Sequence, residues 1–256
     1  MSAAPGRSQA SSHRSAQHEG TPVSDKLLEL HDVHAWYGDS HILHGMSLHV
    51  TRGECVALLG RNGAGRTTTL KTIMGLVDRR SGSIMVNGTQ VSALPTYRVA
   101  RLGVGFCPEE RAIYASLSCE ENLLLPPVVA PGGMSLGEIY GLFQNLEERR
   151  KSPGTRLSGG EQQMLALARI LRTGSRLLLL DEISEGLAPV IVERLVLASH
   201  ALRERGYTLL MVEQNFNFAA DLADRLYLVE HGQVVMHVKR AELRERYSEI
   251  ENLLGI

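Results

Sequence analysis

Residues Gly60–Thr69 read GRNGAGRTTT, and the fold turns on what that stretch is. From Gly60 to Thr67 it follows the phosphate-loop pattern G-x-x-x-x-G-K-[ST], except that Arg66 stands in the lysine position. Just upstream, CVALL (55–59) is an unbroken apolar run, as expected of a strand covered on both faces. Just downstream, RTTTLKTIMGL reads as a helix. Strand, glycine-rich loop and helix form the setting such a loop needs. Backbone N–H groups from Asn62 through Gly63, Ala64, Gly65 and Arg66 to Thr67 can then wrap phosphates, and the helix N-terminus adds positive potential. Gly60, Gly63 and Gly65 allow the tight turn and close approach. Thr67 offers a hydroxyl to Mg²⁺. Arg61 and Thr68 complete the expected nucleotide-binding stretch.

Working outward, KLLELHDVHAWY and MSLHVTRGECVALLG read as strands with a turn at Arg52-Gly53. SGSIMVNGTQV carries a strand and the Asn87-Gly88 hairpin signal. LPTYRVARLG reads as a short helix begun at Pro95, and VGFC as a strand. The character then changes. Three capping-box spacings, Ser118/Glu121, Ser135/Glu138 and Ser158/Glu161, start helices with no strand between them. Residues 116–172 are expected to be a mostly helical insertion, with SLGEIYGLFQNLEERRK read as a single helix. Alternation then returns: RLLLLDE as a buried strand, a helix from Pro189 to Gly206, YTLLMVEQ as a strand, NFAADLAD as a helix and a hairpin turning at His231-Gly232. The charged tail RAELRERYSEIENLL reads as helix. Such a chain argues for a mainly parallel sheet flanked by helices.

LLLLDE supplies a second chemical element. Two carboxylates end a buried strand, and successive strand residues face opposite ways, so Asp181 and Glu182 can take different tasks. Asp181 can hold Mg²⁺ through its water shell, and Glu182 can orient or deprotonate an attacking water. Alone, the pair reads as a solvated turn; with the glycine loop upstream it does not. LSGGEQQMLALARIL (157–171) is a third element. Its apolar face of Met164, Leu165, Ala168 and Leu171 is that of an ordinary capped amphipathic helix. Gly159-Gly160 in the first turn is not, since glycine there is unfavourable unless something must come close. The stretch reads as a second anion site.

These three elements, in this order and at these distances, resemble the ATP-binding cassette (ABC) family, with LSGGEQQ similar to its signature motif. The resemblance covers about Leu27 to the C-terminus. It implies an α/β fold: a P-loop NTPase core with a mainly parallel sheet, an antiparallel β subdomain and a helical subdomain. It implies ATP and Mg²⁺ as cofactors, and two cassettes dimerised head to tail. The P-loop of one and Ser158, Gly159, Gly160 and Glu161 of the other would then enclose each nucleotide. It further places Tyr37 against adenine, Glu109 near Mg²⁺ and the transmembrane partner, and Gln214 near the γ-phosphate as a catalytic residue beside Glu182. Within the family, PEERAIY, EGLAPVIV and VEQN resemble the LivF-like subunit of branched-chain amino-acid importers, with urea-type importers as near neighbours. Transmembrane permease subunits, a second cassette (self or paralogue) and, indirectly, a periplasmic solute-binding protein are the implied partners. The implied location is cytoplasmic, peripheral on the inner face of the membrane.

The chain departs from that pattern at three positions. Ile183 and Ser184 replace a Pro-Thr pair after the two acids, and losing proline is expected to loosen the turn. Arg66 replaces a compact, flexible lysine with a planar fork. The charge survives, so triphosphate binding is expected to survive. A misplacement of about 1 Å can cost roughly 100-fold in rate, so slow hydrolysis is expected. The competing reading is a regulatory or structural nucleotide-binding subunit without useful turnover. A ribosome- or DNA-acting cassette is disfavoured, because there is neither a second cassette nor a coiled coil. A GTPase is disfavoured because there is no Asn-Lys-x-Asp motif.

Composition adds limits. The chain has 256 residues, 43% of them apolar, and a formal net charge of -1, which favours no nucleic-acid partner. No apolar run approaches the roughly 20 residues needed to span a bilayer. Residues 1–25 are expected to be a disordered tail and 26–256 the ATP-binding domain. The three cysteines have no metal or redox spacing and read as core residues in a reducing compartment. His31/His34 and His41/His44 have ligand-like spacing, but no Cys or carboxylate cluster joins them, so they read as surface and edge histidines.

Overall fold

The computed structural model describes residues 25–255. Its strands are β1 (Lys26–Tyr37), β2 (Ser40–Thr51), β3 (Cys55–Leu59), β4 (Arg79–Val86), β5 (Thr89–Gln90), β6 (Val104–Cys107), β7 (Leu177–Asp181), β8 (Thr208–Glu213), β9 (Arg225–Glu230) and β10 (Gln233–Lys239). Its helices are α1 (Arg66–Met74), α2 (Thr96–Arg101), α3 (Cys119–Leu124), α4 (Leu136–Leu142), α5 (Gln144–Glu148), α6 (Gly159–Arg172), α7 (Pro189–Glu204), α8 (Phe216–Leu222) and α9 (Tyr247–Leu254). Two sheets result. One is antiparallel, in the order β2-β1-β4-β5; the other runs β10-β9-β3-β8-β7-β6. In the second, β9, β3, β8, β7 and β6 pair in parallel, and β10 adds an antiparallel edge.

Strand alternation divides the core. Ala57 and Leu59 of β3, Leu178 and Leu180 of β7, and Leu209 and Met211 of β8 pack with the helical residues of α3, α6, α7 and α8. Val56 and Leu58, Leu177 and Leu179, and Leu210 and Val212 pack with α1 and the antiparallel sheet. The unbroken apolar runs in the sequence have this cause: both faces of the parallel sheet are covered at its centre, so every position of β3, β7 and β8 is buried. The strand ends that carry polar residues therefore project from one carboxyl edge, where open α/β sheets bind ligands.

All three capping boxes form, each with the serine accepting from the N3 backbone and the glutamate reaching back. The single helix expected over 135–151 is two. Phe143 sits at φ -129, ψ 72 between α4 and α5, and its side chain is buried. Core packing of that ring outweighs helical continuity. Pro95 caps α2 from outside rather than starting it. Cys55, Cys107 and Cys119 are free and buried, with burial pushing their thiols up to about 12, 12 and 11. No helix among the described residues is long and apolar enough to cross a membrane. The expected N-terminal tail, residues 1–24 of it, lies outside the described residues.

Candidate functional site

The site lies where β3, β6, β7 and β8 end. A cleft of about 450 Å³ is lined by Asn62 through Thr68, Glu109, Glu182 and Gln214, together with Ile42 and Glu185. The loop turns through Gly63 at φ 78 and Gly65 at φ 100, a region that strains other residues. Gly65 caps α1 without any side-chain hydrogen bond. Unlike the helices with serine caps, α1 thus leaves its first-turn N–H groups for an outside acceptor, the condition for binding an anion. Gly60 has a different reason: a Cβ there would meet the Val229 carbonyl at 2.3 Å, so the closeness is to β9.

Arg66 departs most from its expected role. It is 5% exposed and aims its guanidinium at protein acceptors. Nη1 donates to the Glu213 carbonyl at 2.5 Å. Nη2 donates to Glu182 Oε1 at 3.1 Å and to Asn62 Oδ1 at 3.3 Å. Burial pulls its pKa down, opposed by the charges of Glu182, Glu213 and Asp181. Gln214 Nε2 donates to the other oxygen, Glu182 Oε2, at 2.9 Å. Both oxygens of Glu182 are therefore engaged.

Asp181 and Glu182 do diverge, but not through strand alternation. Asp181 is the last residue of β7; Glu182 has left the strand and sits at φ 46. Asp181 Oδ1 accepts from Thr67 Oγ1 at 2.9 Å, while its Oδ2 is buried without a hydrogen-bond partner. Burial pushes this carboxyl up to about 6, the Thr67 hydrogen bond opposing and Glu182 adding to the shift. A buried, unpartnered carboxylate oxygen beside a threonine hydroxyl is a donor set suited to Mg²⁺.

The turn after the acids is not loose. Ile183 is buried, and Ser184 gives two hydrogen bonds to Glu213, from its N–H at 3.2 Å and from its Oγ at 2.7 Å. Glu213 is thus a buried brace the sequence reading missed; burial pushes it up to about 7, with the Ser184 hydrogen bonds opposing. Glu185 was missed as well. A hydrogen bond with Glu182, then burial, pushes it up to about 7. Oxygens of Glu109, Glu182 and Glu185 all lie within 4.8 Å of one another. The third acid of DEISE and the glutamate before Gln214 were the available signals, but neither says which way a side chain turns.

Other expected residues lie outside this cleft. Tyr37 stands at the β1–β2 hairpin, 37% exposed. Arg61 turns toward Gly255 behind the loop. Ser158 and Glu161 hold each other in their capping box. Gly160 is explained within the chain: a Cβ there would lie 2.9 Å from Ile191 Cγ1 and Cγ2. Gly159 is exposed, with only Arg111 near, at 3.4 Å from such a Cβ.

A family model described as ABC transporter matches residues 43–185. The chain is 40% identical over 220 residues to the high-affinity branched-chain amino acid transport ATP-binding protein BraG of Pseudomonas aeruginosa, covering 85% of this chain and 94% of that one. It is 31% identical over 238 residues to the probable branched-chain amino acid transport ATP-binding protein LivF of Archaeoglobus fulgidus, covering 90% and 99%. Among solved structures, an ATP-binding subunit of an ABC transporter matches with a TM-score of 0.76 at 27% identity, over 90% of this chain and all of that one. A dimeric bacterial ABC transporter cassette shares the fold, with a TM-score of 0.73 at 24% identity over 83% and 98%.

Proposed function

This chain belongs to the ABC transporter family as a LivF-like ATP-binding ATPase, and from that premise we propose that it powers an importer of branched-chain amino-acid type. Its membrane path would be formed by separate permease subunits on whose cytoplasmic side the cassette sits. The branched-chain amino acid transport role of those relatives supports the solute class. A periplasmic receptor would deliver that solute. The observation that carries the reading is Thr67 on Asp181, with the orphaned Asp181 Oδ2 under an uncapped glycine loop.

In this reading the loop N–H groups hold the phosphates. Thr67 and Asp181 would hold Mg²⁺. When bound, it would supply positive charge that favours the negative charge developing on the phosphates. Glu182 accepts the proton of the attacking water, and Gln214 orients it by donating to Oε2. Each Glu182 oxygen has a second lone pair, so the carboxylate can take that proton with both hydrogen bonds in place. To reach the γ-phosphate, Arg66 would leave Glu182 and the Glu213 carbonyl. Ser158 to Glu161, at the N-terminus of α6, would complete the nucleotide site of a second cassette across a two-fold axis, and Tyr37 would meet the adenine from the hairpin. The ATP-binding domain in this reading spans 26–256, with 116–172 as its helical part.

The Arg66–Glu182 ion pair favours a second reading, in which this cassette binds nucleotide, hydrolyses it poorly and relies on a sister cassette for turnover. One comparison separates the two. ATPase rates of the assembled transporter are measured for the parent and for Glu182→Gln. A fall of at least 100-fold supports the transport ATPase; equal rates support the regulatory cassette.

A further inference from the structure

A cavity of about 320 Å³ lies at the break between α4 and α5. Its walls are the break itself, α5, Met164 of α6 and Arg194 of α7. No residue of the nucleotide cleft lines it. Ligand pockets span about 300–1,000 Å³, so this one suits a molecule of amino-acid size.

Two opposite charges border the cavity without meeting. Glu148 of α5 and Arg194 of α7 both line it, yet neither makes an ion pair or a hydrogen bond among the described residues. They face one space from different helices and do not join across it. A plain anion would be drawn to Arg194 and repelled by Glu148, and a plain cation the reverse. A zwitterion, with its two charges a few bonds apart, satisfies both at once. Guanidinium in particular matches a carboxylate, which it can hold through two parallel N–H donors.

Two further features of the same walls point to an occupant. Asn145 lines the cavity, and its Nδ2 is buried and donates to nothing. A buried amide N–H left without an acceptor is costly and uncommon. A carboxylate oxygen is an acceptor of the kind it lacks. Gly141 stands in the last turn of α4, where alanine is the better helix former. Its φ is not positive, and a Cβ there would meet nothing within 4 Å. Neither backbone conformation nor packing within the chain calls for glycine at this position; the missing side chain leaves that wall open. The apolar part of the lining is Leu142 with the buried Phe143 and Met164.

We propose that this cavity binds a small free α-amino acid with an apolar side chain. Its carboxylate lies on Arg194 and Asn145 Nδ2, its ammonium on Glu148, and its side chain against Leu142, Phe143 and Met164. Binding is noncovalent and moves no proton. An occupant touches α5, α6 and α7 together, so it ties the helix headed by Ser158 to the helix that follows the acidic turn. The proposal goes beyond the transport reading and does not require it; that reading serves only to choose the probe.

The test titrates the full-length chain, free of nucleotide, with L-leucine to millimolar concentration by calorimetry. One equivalent is expected. Isocaproate, which lacks the ammonium, and isoamylamine, which lacks the carboxylate, should each bind at least tenfold more weakly. Arg194→Gln and Glu148→Gln should each weaken leucine at least tenfold without moving Tm, since neither side chain holds another part of the chain. Gly141→Phe should fill the cavity and remove binding; should it not fold, the two charge variants carry the same expectation. Glu193→Gln, next to Arg194 but outside the lining, should leave binding unchanged. No binding of leucine by the parent at millimolar concentration would overturn the proposal. So would equal affinity in the parent and the charge variants, or isocaproate binding as tightly as leucine. Mg-ATP affinity measured on the same samples should be the same in every variant. Its absence from the parent would count against the nucleotide site and not against this one.

Discussion

Arg66 Nη2 donates to Glu182 Oε1 at 3.1 Å, and both side chains are more than nine-tenths buried, at 5% and 8% exposed. The residue in the P-loop lysine position is therefore an ion-pair partner of the carboxylate expected to activate water. A planar fork reaches Glu182 and the Glu213 carbonyl together; the single ammonium of a lysine does not have that bidentate reach.

Arg66→Lys is expected to raise the ATPase rate of the assembled transporter by at least tenfold, because Glu182 loses its clamp and a compact charge becomes free for the γ-phosphate. Deletion of one preorganised donor costs about 100- to 1000-fold in comparable sites, which bounds the gain from above. Steady-state phosphate release measures it, and an unchanged rate would show that Arg66 does not limit turnover.

Arg66→Met keeps bulk but removes the charge, leaving Glu182, Glu185 and Glu213 without their shared cation. Breaking a buried pair from one side costs about 3–5 kcal/mol. The nucleotide-free variant should lose that much at pH 8 and noticeably less at pH 5.5, where Glu185 and Glu213, each pushed up to about 7, take up protons. Urea unfolding at the two pH values checks the difference; an equal loss at both would show that charge is not the cause.

Glu213 carries a pH signature of its own. Its folded pKa is raised, to about 7 from 4.5, so its protonated form is favoured in the fold. Stability from this group is fully present below about pH 4.5 and is lost as pH rises through about 7. The full swing is on the order of 3 kcal/mol. In Glu213→Gln, Tm should vary less between pH 5 and pH 8 than in the parent. A parallel pair of Tm profiles would argue against it.

The two glycines at the start of α6 should separate. Gly160→Ala drives a methyl against Ile191 and should cost about 1–3 kcal/mol, with part of the loss recovered in the Gly160→Ala/Ile191→Ala pair. Gly159→Ala meets only the mobile end of Arg111 and should leave Tm nearly unchanged. Its effect should appear in ATPase rate, if the neighbouring cassette's nucleotide approaches there. Thermal melts and rates of the single variants distinguish packing from contact.

Much of the molecule was legible in one dimension because its signals are local. CVALL and LLLLD are buried on both faces, so their apolar runs need no partner to be recognised as strands. Ser118, Ser135 and Ser158 cap their helices through contacts only three residues long. The order of GRNGAGRTTT, LSGGEQQ and LLLLDE carried the family. Phe143 was not legible, since its break depends on burial by residues far away in the chain.

The sequence by itself determined the α/β cassette, the phosphate loop and the identity of the acids at its edge, because strand burial, capping and loop chemistry are written in neighbouring residues. Only the tertiary structure decided where Arg66 points, how Glu213 holds Ser184, and that Asp32 and His41 meet the two nitrogens of the His34 ring. Arg66 and Glu182 are brought together across 116 positions. Direction of a side chain across such a span is set by what packs around it, by bulges that shift register and by burial that makes each charge seek a partner. Neither residue type nor spacing encodes those.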